Sequence, residues 1–147
     1  MSDKLRDIID QMVRQDYATD TGRKMHARMQ RIVIDGDASR GDMDIRAKIS
    51  ENPTLAQMFS PASRTEVPIA GTINGRFISR RIDRLFTDDE NKRVYVLDYK
   101  TDTDRAAFHD KYVEQINEYK TLLRDIYPNY EIRGYILWLH DFSVEEI

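Results

Sequence analysis

The chain has 147 residues, of which 40% are hydrophobic and 33% are charged, and its formal net charge is −3. This length and composition predict one compact domain over residues 1–147, without membrane association, because no apolar run approaches the roughly 20 residues that span a bilayer. The N-terminus lacks the apolar core of a signal peptide, so we expect a cytoplasmic location. The absence of cysteine excludes disulfides, thiolate zinc sites and iron–sulfur clusters.

The first sixty residues show the spacing of helices. Residues 3–16 carry apolar side chains at helical intervals, and Asp20 or Thr21 can begin a second helix of about 14 residues. Short helices are predicted near 42–50 and 53–59, and the second of these is opened by a proline.

The remainder of the chain has the pattern of strands around one long helix. Asn74-Gly75 between two strand-like runs is typical of a tight hairpin. A strand–helix–strand unit beside this hairpin implies an α/β fold with a mixed central sheet of about four strands flanked by helices. The predicted elements are strands at Glu66 to Ile73, Arg76 to Phe86, Arg93 to Thr101 and Glu131 to His140, and a helix from a cap at Asp104 to about Tyr127.

Two carboxylates and a lysine stand at the ends of predicted strands. Asp98 and Lys100 are two residues apart, so they emerge on one face, and Asp83 interrupts a partly apolar side of the preceding strand. This set suffices to hydrolyse a phosphodiester, with Asp98 binding Mg²⁺ and Lys100 contacting the attacking water and the scissile phosphate. The alternatives are a surface salt bridge between Asp98 and Lys100, and an ion pair of Asp83 with Arg81 or Arg84.

Other polar residues also have two interpretations. Gln115 and Tyr119 share one helix face, where they either join an aromatic cluster or form a polar pair that touches a nucleic-acid backbone or holds the lysine. His26 is either a packing or surface residue of a helix or a ligand, and we expect His109 and His140 to be structural.

Five short motifs follow one another along the chain: Gly22…His26, Glu66-Val67-Pro68, Ile82-Asp83-Arg84-Leu85, Asp98-Tyr99-Lys100-Thr101 and Gln115-x-x-x-Tyr119. In this order they resemble those of RecB-type nucleases of the PD-(D/E)XK superfamily, which is built on the restriction-endonuclease core. The closer resemblance is to the C-terminal nuclease domain of the AddA subunit of bacterial helicase–nucleases. It covers about residues 20–147 and leaves residues 1–19, a predicted N-terminal helix, outside it.

The resemblance implies a metal site and a catalytic lysine. His26, Asp83 and Asp98 match positions that bind the divalent cation in the family, and a backbone carbonyl near Tyr99 is expected to add a ligand. Lys100 matches the catalytic lysine. Oxygen ligands with one imidazole suit Mg²⁺ or Mn²⁺.

The resemblance also implies contacts with nucleic acid. Gln115 and Tyr119 match a helix motif that helps to position DNA and the active site, whereas Glu66 matches an acidic position that we do not count as a ligand. We expect Arg84 and Arg80 to steer the strand through its phosphates. Arg80 departs from the family, which often has a small residue three positions before the motif aspartate.

The residues and the resemblance together predict a Mg²⁺-dependent deoxyribonuclease, and the resemblance implies that this hydrolase acts as an exonuclease on single-stranded DNA ends in recombinational double-strand break repair. The chain has no Gly-x-x-x-x-Gly-Lys-Ser/Thr loop and hence no helicase motor, so we interpret it as a fragment of a larger protein, a separately encoded nuclease domain or a remnant. The resemblance implies a helicase or AddB-like partner. One alternative is a catalytically inactive nuclease fold that binds DNA or docks onto a helicase. The other is an unrelated interaction module with coincidental motifs.

Overall fold

The computed structural model of the protein describes Lys4 and residues 22–101 and 105–147. Within residues 22–101, helices α1 (22–30), α2 (Met43–Ser50) and α3 (Pro53–Gln57) precede the sheet. Apart from Lys4, the helix predicted over residues 3–16 lies outside the described residues, as do the predicted caps Asp20, Thr21 and Asp104. No helix in the described ranges is both long enough and apolar enough to cross a bilayer.

Five strands form one mixed sheet in the order β1-β2-β3-β4-β5. The first three strands are antiparallel neighbours, β3 and β4 are parallel, and the last strand runs antiparallel to β4. The parallel step requires a crossover, which helix α4 (Arg105–Ile126) supplies. The strands are β1 (Arg64–Ile73), β2 (Arg76–Asp88), β3 (Arg93–Lys100), β4 (Glu131–Trp138) and β5 (Ser143–Glu146).

The fold is α/β, as predicted, but the sheet has one strand more than the four expected from the sequence. The additional strand, β5, contains one apolar residue, Val144, so it lacks the alternation by which strands are recognised. It pairs with the far edge of β4, where Val144 lies opposite Leu137. Pairing to an otherwise open edge, rather than the intrinsic pattern of the segment, accounts for this strand.

Alternation of side chains sorts the core into two layers, one on each face of the sheet. On one face, Tyr99 and the other odd-numbered apolar residues of β3 pack under α1, α2 and α3. On the opposite face, Val94 and Val96 pack against α4. Asp98 and Lys100 continue the same alternation, so they lie on the α4 face at the end of β3.

Helix α4 approaches β4 closely at Gly134. A Cβ at this position would collide with Cγ2 of Ile116, so only glycine allows the helix to lie at this depth. Gly134 is buried and pairs with Val96 of β3. The close approach holds the helix residues that neighbour Ile116 in sequence over the centre of the sheet.

Helix α1 ends earlier than the helix of about 14 residues predicted from a cap at Asp20 or Thr21, which would reach about residue 34. It ends at Gln30, and Val33 instead pairs with Arg40 in an isolated bridge. The run at 32–34 is β-branched and favours extended backbone. Gly36 then reverses the chain with a φ of 53°, which glycine adopts without steric cost.

Candidate functional site

The sheet divides where β2 leaves β3. Arg84 and Leu97 are the last residues that the two strands pair, and beyond them β2 pairs with β1 while β3 pairs with β4. Asp83 and Asp98 are the next residue of each strand, and they are only 7% and 3% exposed. We call this point of divergence, with its two buried aspartates, the fork.

An irregularity in β2 lies at Asp83. Ile82 and Leu85 pack in the same core on the α4 face although they are three positions apart, so the alternation of side chains slips by one residue between them. The ladder of β1 and β2 has no pair at Glu66 and Asp83, and Glu66 has a φ of 52°, in the left-handed region. Because the register of the two strands is the same on both sides of this gap, the irregularity is a local distortion and not an inserted residue.

His26 reaches the fork from helix α1. Its Nδ1 lies 3.6 Å from Oδ1 of Asp83. The other oxygen of that carboxyl, Oδ2, accepts a 2.8 Å hydrogen bond from the backbone N–H of Tyr99. The imidazole also packs edge-on against the ring of Tyr99, with the ring centroids 5.4 Å apart. Tyr99 therefore orients both His26 and Asp83.

The charge of one aspartate of the fork affects the protonation of the other. Burial, and then the negative charge of Asp98, raise the pKa of Asp83 above its ordinary value of 3.8. Within the described ranges, Asp83 makes no ion pair with Arg81 or Arg84, the two alternatives that the sequence offered. A buried carboxylate pair of this kind is costly unless a cation neutralises it.

Lys100 lies beside this pair on the α4 face. Its Nζ is 2.7 Å from Oδ2 of Asp98, 2.8 Å from Oε1 of Gln115, and 4.3 Å from the ring centroid of Tyr112. Gln115 in turn donates a 2.8 Å hydrogen bond to the hydroxyl of Tyr119. The side chains of Lys100 and Asp98 are 16% and 5% exposed, so their contact is not a surface salt bridge. Two acceptors and an aromatic face hold the ammonium in place.

Glu66 joins the site, although the sequence analysis did not count it as a ligand. One potential ligand atom from each of His26, Glu66 and Asp83 can be chosen so that all three lie within 4.8 Å of one another. Gln30 of α1 fixes Glu66 by donating a 2.7 Å hydrogen bond to Oε1. The motif Glu66-Val67-Pro68 singled out this residue, but its position beside His26 and Asp83 goes with a left-handed backbone that the sequence does not indicate.

The donor set fits a hard divalent cation. It offers carboxylate oxygens and one imidazole nitrogen, a combination that suits Mg²⁺ or Mn²⁺. Oδ2 of Asp98 is buried and has no aligned hydrogen-bond donor among the described residues, although the ammonium of Lys100 is close. A buried acceptor with unused capacity beside a second carboxyl group is a suitable place for a cation.

Arg84 is buried rather than available to DNA. It is 2% exposed, and its guanidinium donates to four protein oxygens. The DNA contact expected for Arg84 is therefore replaced by a structural role, in which it joins β2 to the end of α1. The acceptors are the hydroxyl of Tyr99 at 2.9 Å, Oγ of Ser63 at 2.7 Å, and the backbone carbonyls of Met29 at 3.0 Å and Ile32 at 3.3 Å.

Arg80 lies on the α4 face of β2, outside the fork. Its Nε is 3.2 Å from Oε2 of Glu118, and its side chain is 39% exposed. It therefore remains accessible beside the helix that carries Gln115 and Tyr119.

The other two histidines have carboxylate partners near β5. His109 Nε2 lies 2.5 Å from Oε1 of Glu145, and His140 Nε2 lies 3.6 Å from Oδ2 of Asp141. These contacts agree with the structural role expected for both.

No model of a known protein family matches the sequence, and no curated protein matches it. The function of the chain is therefore inferred from the fork and from the motifs in the sequence.

Proposed function

We propose that this chain is a divalent-cation-dependent deoxyribonuclease with a restriction-endonuclease-like core and a RecB-type active site. The observation that carries the proposal is the convergence of His26, Asp83 and Asp98 with Lys100 at one fork of the sheet. Buried carboxylates in contact with an imidazole and an ammonium supply the two components of phosphodiester hydrolysis, a cation site and a fixed positive charge.

The ligand set consists of His26, Asp83 and Asp98, with Glu66 as an additional oxygen donor and the carbonyl of Tyr99 as the further ligand expected from the family. A bound Mg²⁺ or Mn²⁺ supplies Lewis-acid activation of the phosphate and of water. Tyr99 holds Asp83 through its N–H, so the carboxylate presents Oδ1 towards His26.

Lys100 stabilises the negative charge that develops on the phosphate. Its ammonium has three hydrogens, of which Gln115 accepts one, and its Nζ lies 2.7 Å from the carboxylate of Asp98, so a hydrogen remains that can be donated to a non-bridging oxygen. Tyr119 fixes the amide of Gln115 and thereby the position of the lysine. Gln115 and Tyr119 therefore position Lys100.

The family resemblance supports the proposed substrate and cellular role. The substrate is the end of a single-stranded DNA, on which the chain acts as an exonuclease. The role is recombinational double-strand break repair in the cytoplasm, with a helicase or AddB-like partner. Arg80 and Gln115 are the proposed DNA contacts on the α4 face, whereas Tyr119 is 2% exposed and acts through its hydrogen bond with Gln115.

The direct test is cleavage of labelled single-stranded and double-stranded DNA by the purified chain in Mg²⁺, Mn²⁺ or chelator. Lys100→Ala should lower the cleavage rate by about 10²–10³-fold, the usual loss when one charge-stabilising donor is removed. Lys111→Ala removes an exposed lysine of α4 and is the matched control. Circular dichroism should show that all variants are folded.

Cleavage by Lys100→Ala at the parental rate would refute the assignment. If the parent cleaves nothing with either cation but binds DNA in chelator, the inactive nuclease fold is the better description.

A further inference from the structure

One face of the β1–β2 hairpin is open. The residues of β1 and β2 that face α4, such as Ile69 and Ile78, are buried in its core. The residues that alternate with them point to the opposite side, beyond the cover of α1, α2 and α3, and all are exposed. This open hairpin face consists of Pro68, Ala70, Thr72, Phe77, Ser79 and Arg81, paired as Pro68↔Arg81, Ala70↔Ser79 and Thr72↔Phe77.

Phe77 is the unusual member of this face. It is 70% exposed, so most of an aromatic ring is presented to solvent near the start of β2, beside the hairpin turn. Arg81 lies on the same face of β2, and its side chain is 69% exposed. An exposed ring and an exposed guanidinium on a face that contains no acidic residue are complementary to a chain of bases and phosphates.

The open hairpin face leads directly to the fork. Arg81 precedes Asp83 by two residues, and its NH1 lies 3.9 Å from Oε2 of Glu66. Along β2, the six residue steps from Phe77 to Asp83 span about 20 Å, enough for several nucleotides. A strand bound along this face would therefore have its backbone delivered to the cation ligands.

We propose that the open hairpin face is a track for single-stranded DNA, in which Phe77 stacks on an unpaired base and Arg81 binds a backbone phosphate. The proposal rests on the proposed nuclease function and adds the path and the form of its substrate. A duplex hides the faces of its bases within the stack, whereas a single strand exposes them to an aromatic side chain. The track therefore selects unpaired DNA.

The test is fluorescence anisotropy with a labelled oligothymidine of about a dozen nucleotides, in chelator, with the full chain. Loss of one stacked base by Phe77→Ala should weaken binding about 5- to 150-fold. Phe77→Tyr retains the ring and should bind as the parent does. Met43→Ala, which removes a 75% exposed apolar side chain from α2, is the matched control and should change affinity less than twofold.

Salt dependence tests the phosphate contact. Arg81→Gln should reduce the slope of log affinity against log salt by about 0.7, the value for one phosphate contact with a single strand. Arg124→Gln, an exposed arginine in the last turn of α4, should leave the slope unchanged.

These outcomes separate the track from the nuclease assignment. Parental affinity in Phe77→Ala would overturn the track, even if the parent cleaves DNA, and would leave the face to a protein partner. Equal affinity of the parent for duplex and single strand would also overturn it. Binding that depends on Phe77, without cleavage in any cation, would support the track and contradict the nuclease function.

Discussion

Asp83→Asn should stabilise the cation-free protein at neutral pH while abolishing its response to Mg²⁺. In the folded chain, burial and the charge of Asp98 raise the pKa of Asp83 above the value of 3.8 that it has when exposed. An amide at this position keeps an oxygen for the N–H of Tyr99 and is neutral without binding a proton. Stabilisation by loss of a titratable group is typical of a site built for function rather than for stability.

The sign and the size of this change in the free energy of unfolding follow from proton linkage. Between the unfolded and the folded pKa of Asp83, the folded state binds one proton more than the unfolded state, so the free energy of unfolding falls as pH rises. The contribution of the protonated carboxyl is complete below the unfolded pKa and is lost as pH rises through the folded pKa. The slope for one proton is about 1.4 kcal/mol per pH unit, so the variant should gain up to ~2.7 kcal/mol on the parent over two pH units.

The assay is urea unfolding of parent and variant in chelator at pH 5, 6 and 7. Asp125→Asn, which changes an exposed carboxylate near the end of α4, controls for the general effect of charge. Added Mg²⁺ should then raise the free energy of unfolding of the parent but not that of Asp83→Asn, because only the parent retains the ligand. A parent–variant difference that does not change with pH would refute the reasoning, since it would mean that Asp83 has the same charge in both states.

Three further substitutions separate structural from functional roles. Arg84→Met should lower the free energy of unfolding by about 2–4 kcal/mol in urea titration, because buried carbonyl and hydroxyl acceptors lose their donor; unchanged stability with weaker DNA binding would restore the DNA-contact role. Gly134→Ala should cost about 1–3 kcal/mol, seen as a lower Tm, because the new methyl group collides with Ile116; an unchanged Tm would contradict the close packing of α4. Gln115→Leu should slow DNA cleavage about tenfold or more with nearly parental stability, because Lys100 loses one of its two acceptors; parental kinetics would show that the lysine needs no positioning.

Most of the fold was predictable because its elements have strong periodic patterns. The hairpin at Asn74-Gly75, the β-branched run of β3 and the apolar stripe of α4 are each encoded in a short segment. The missed strand β5 shows the limit of such patterns. Its assignment depends on pairing with β4, and a contact between distant segments leaves little trace in either segment alone.

The candidate site was predictable in its residues more than in its geometry. The order of motifs selected Asp83, Asp98 and Lys100, and the structure places the three side chains together, but their cation binding and catalysis stay predictions. The position of Glu66 depends on its positive φ, which the residue type does not indicate. The role expected for Arg84 was misjudged because an arginine on a strand gives no indication of whether it ends in solvent or among carbonyl groups.

Asp83 and Arg84 are consecutive residues, and each holds a different part of helix α1. Asp83 contacts His26, while Arg84 donates to the carbonyls of Met29 in this helix and of Ile32 just after its end. The separation between imidazole and carboxylate is therefore set by one peptide unit and a few hydrogen bonds. Because discrimination between Mg²⁺ and the larger Ca²⁺ depends on the size and stiffness of the ligand cage, we expect the ion preference of the proposed site to depend on Arg84, a residue outside the proposed ligand set.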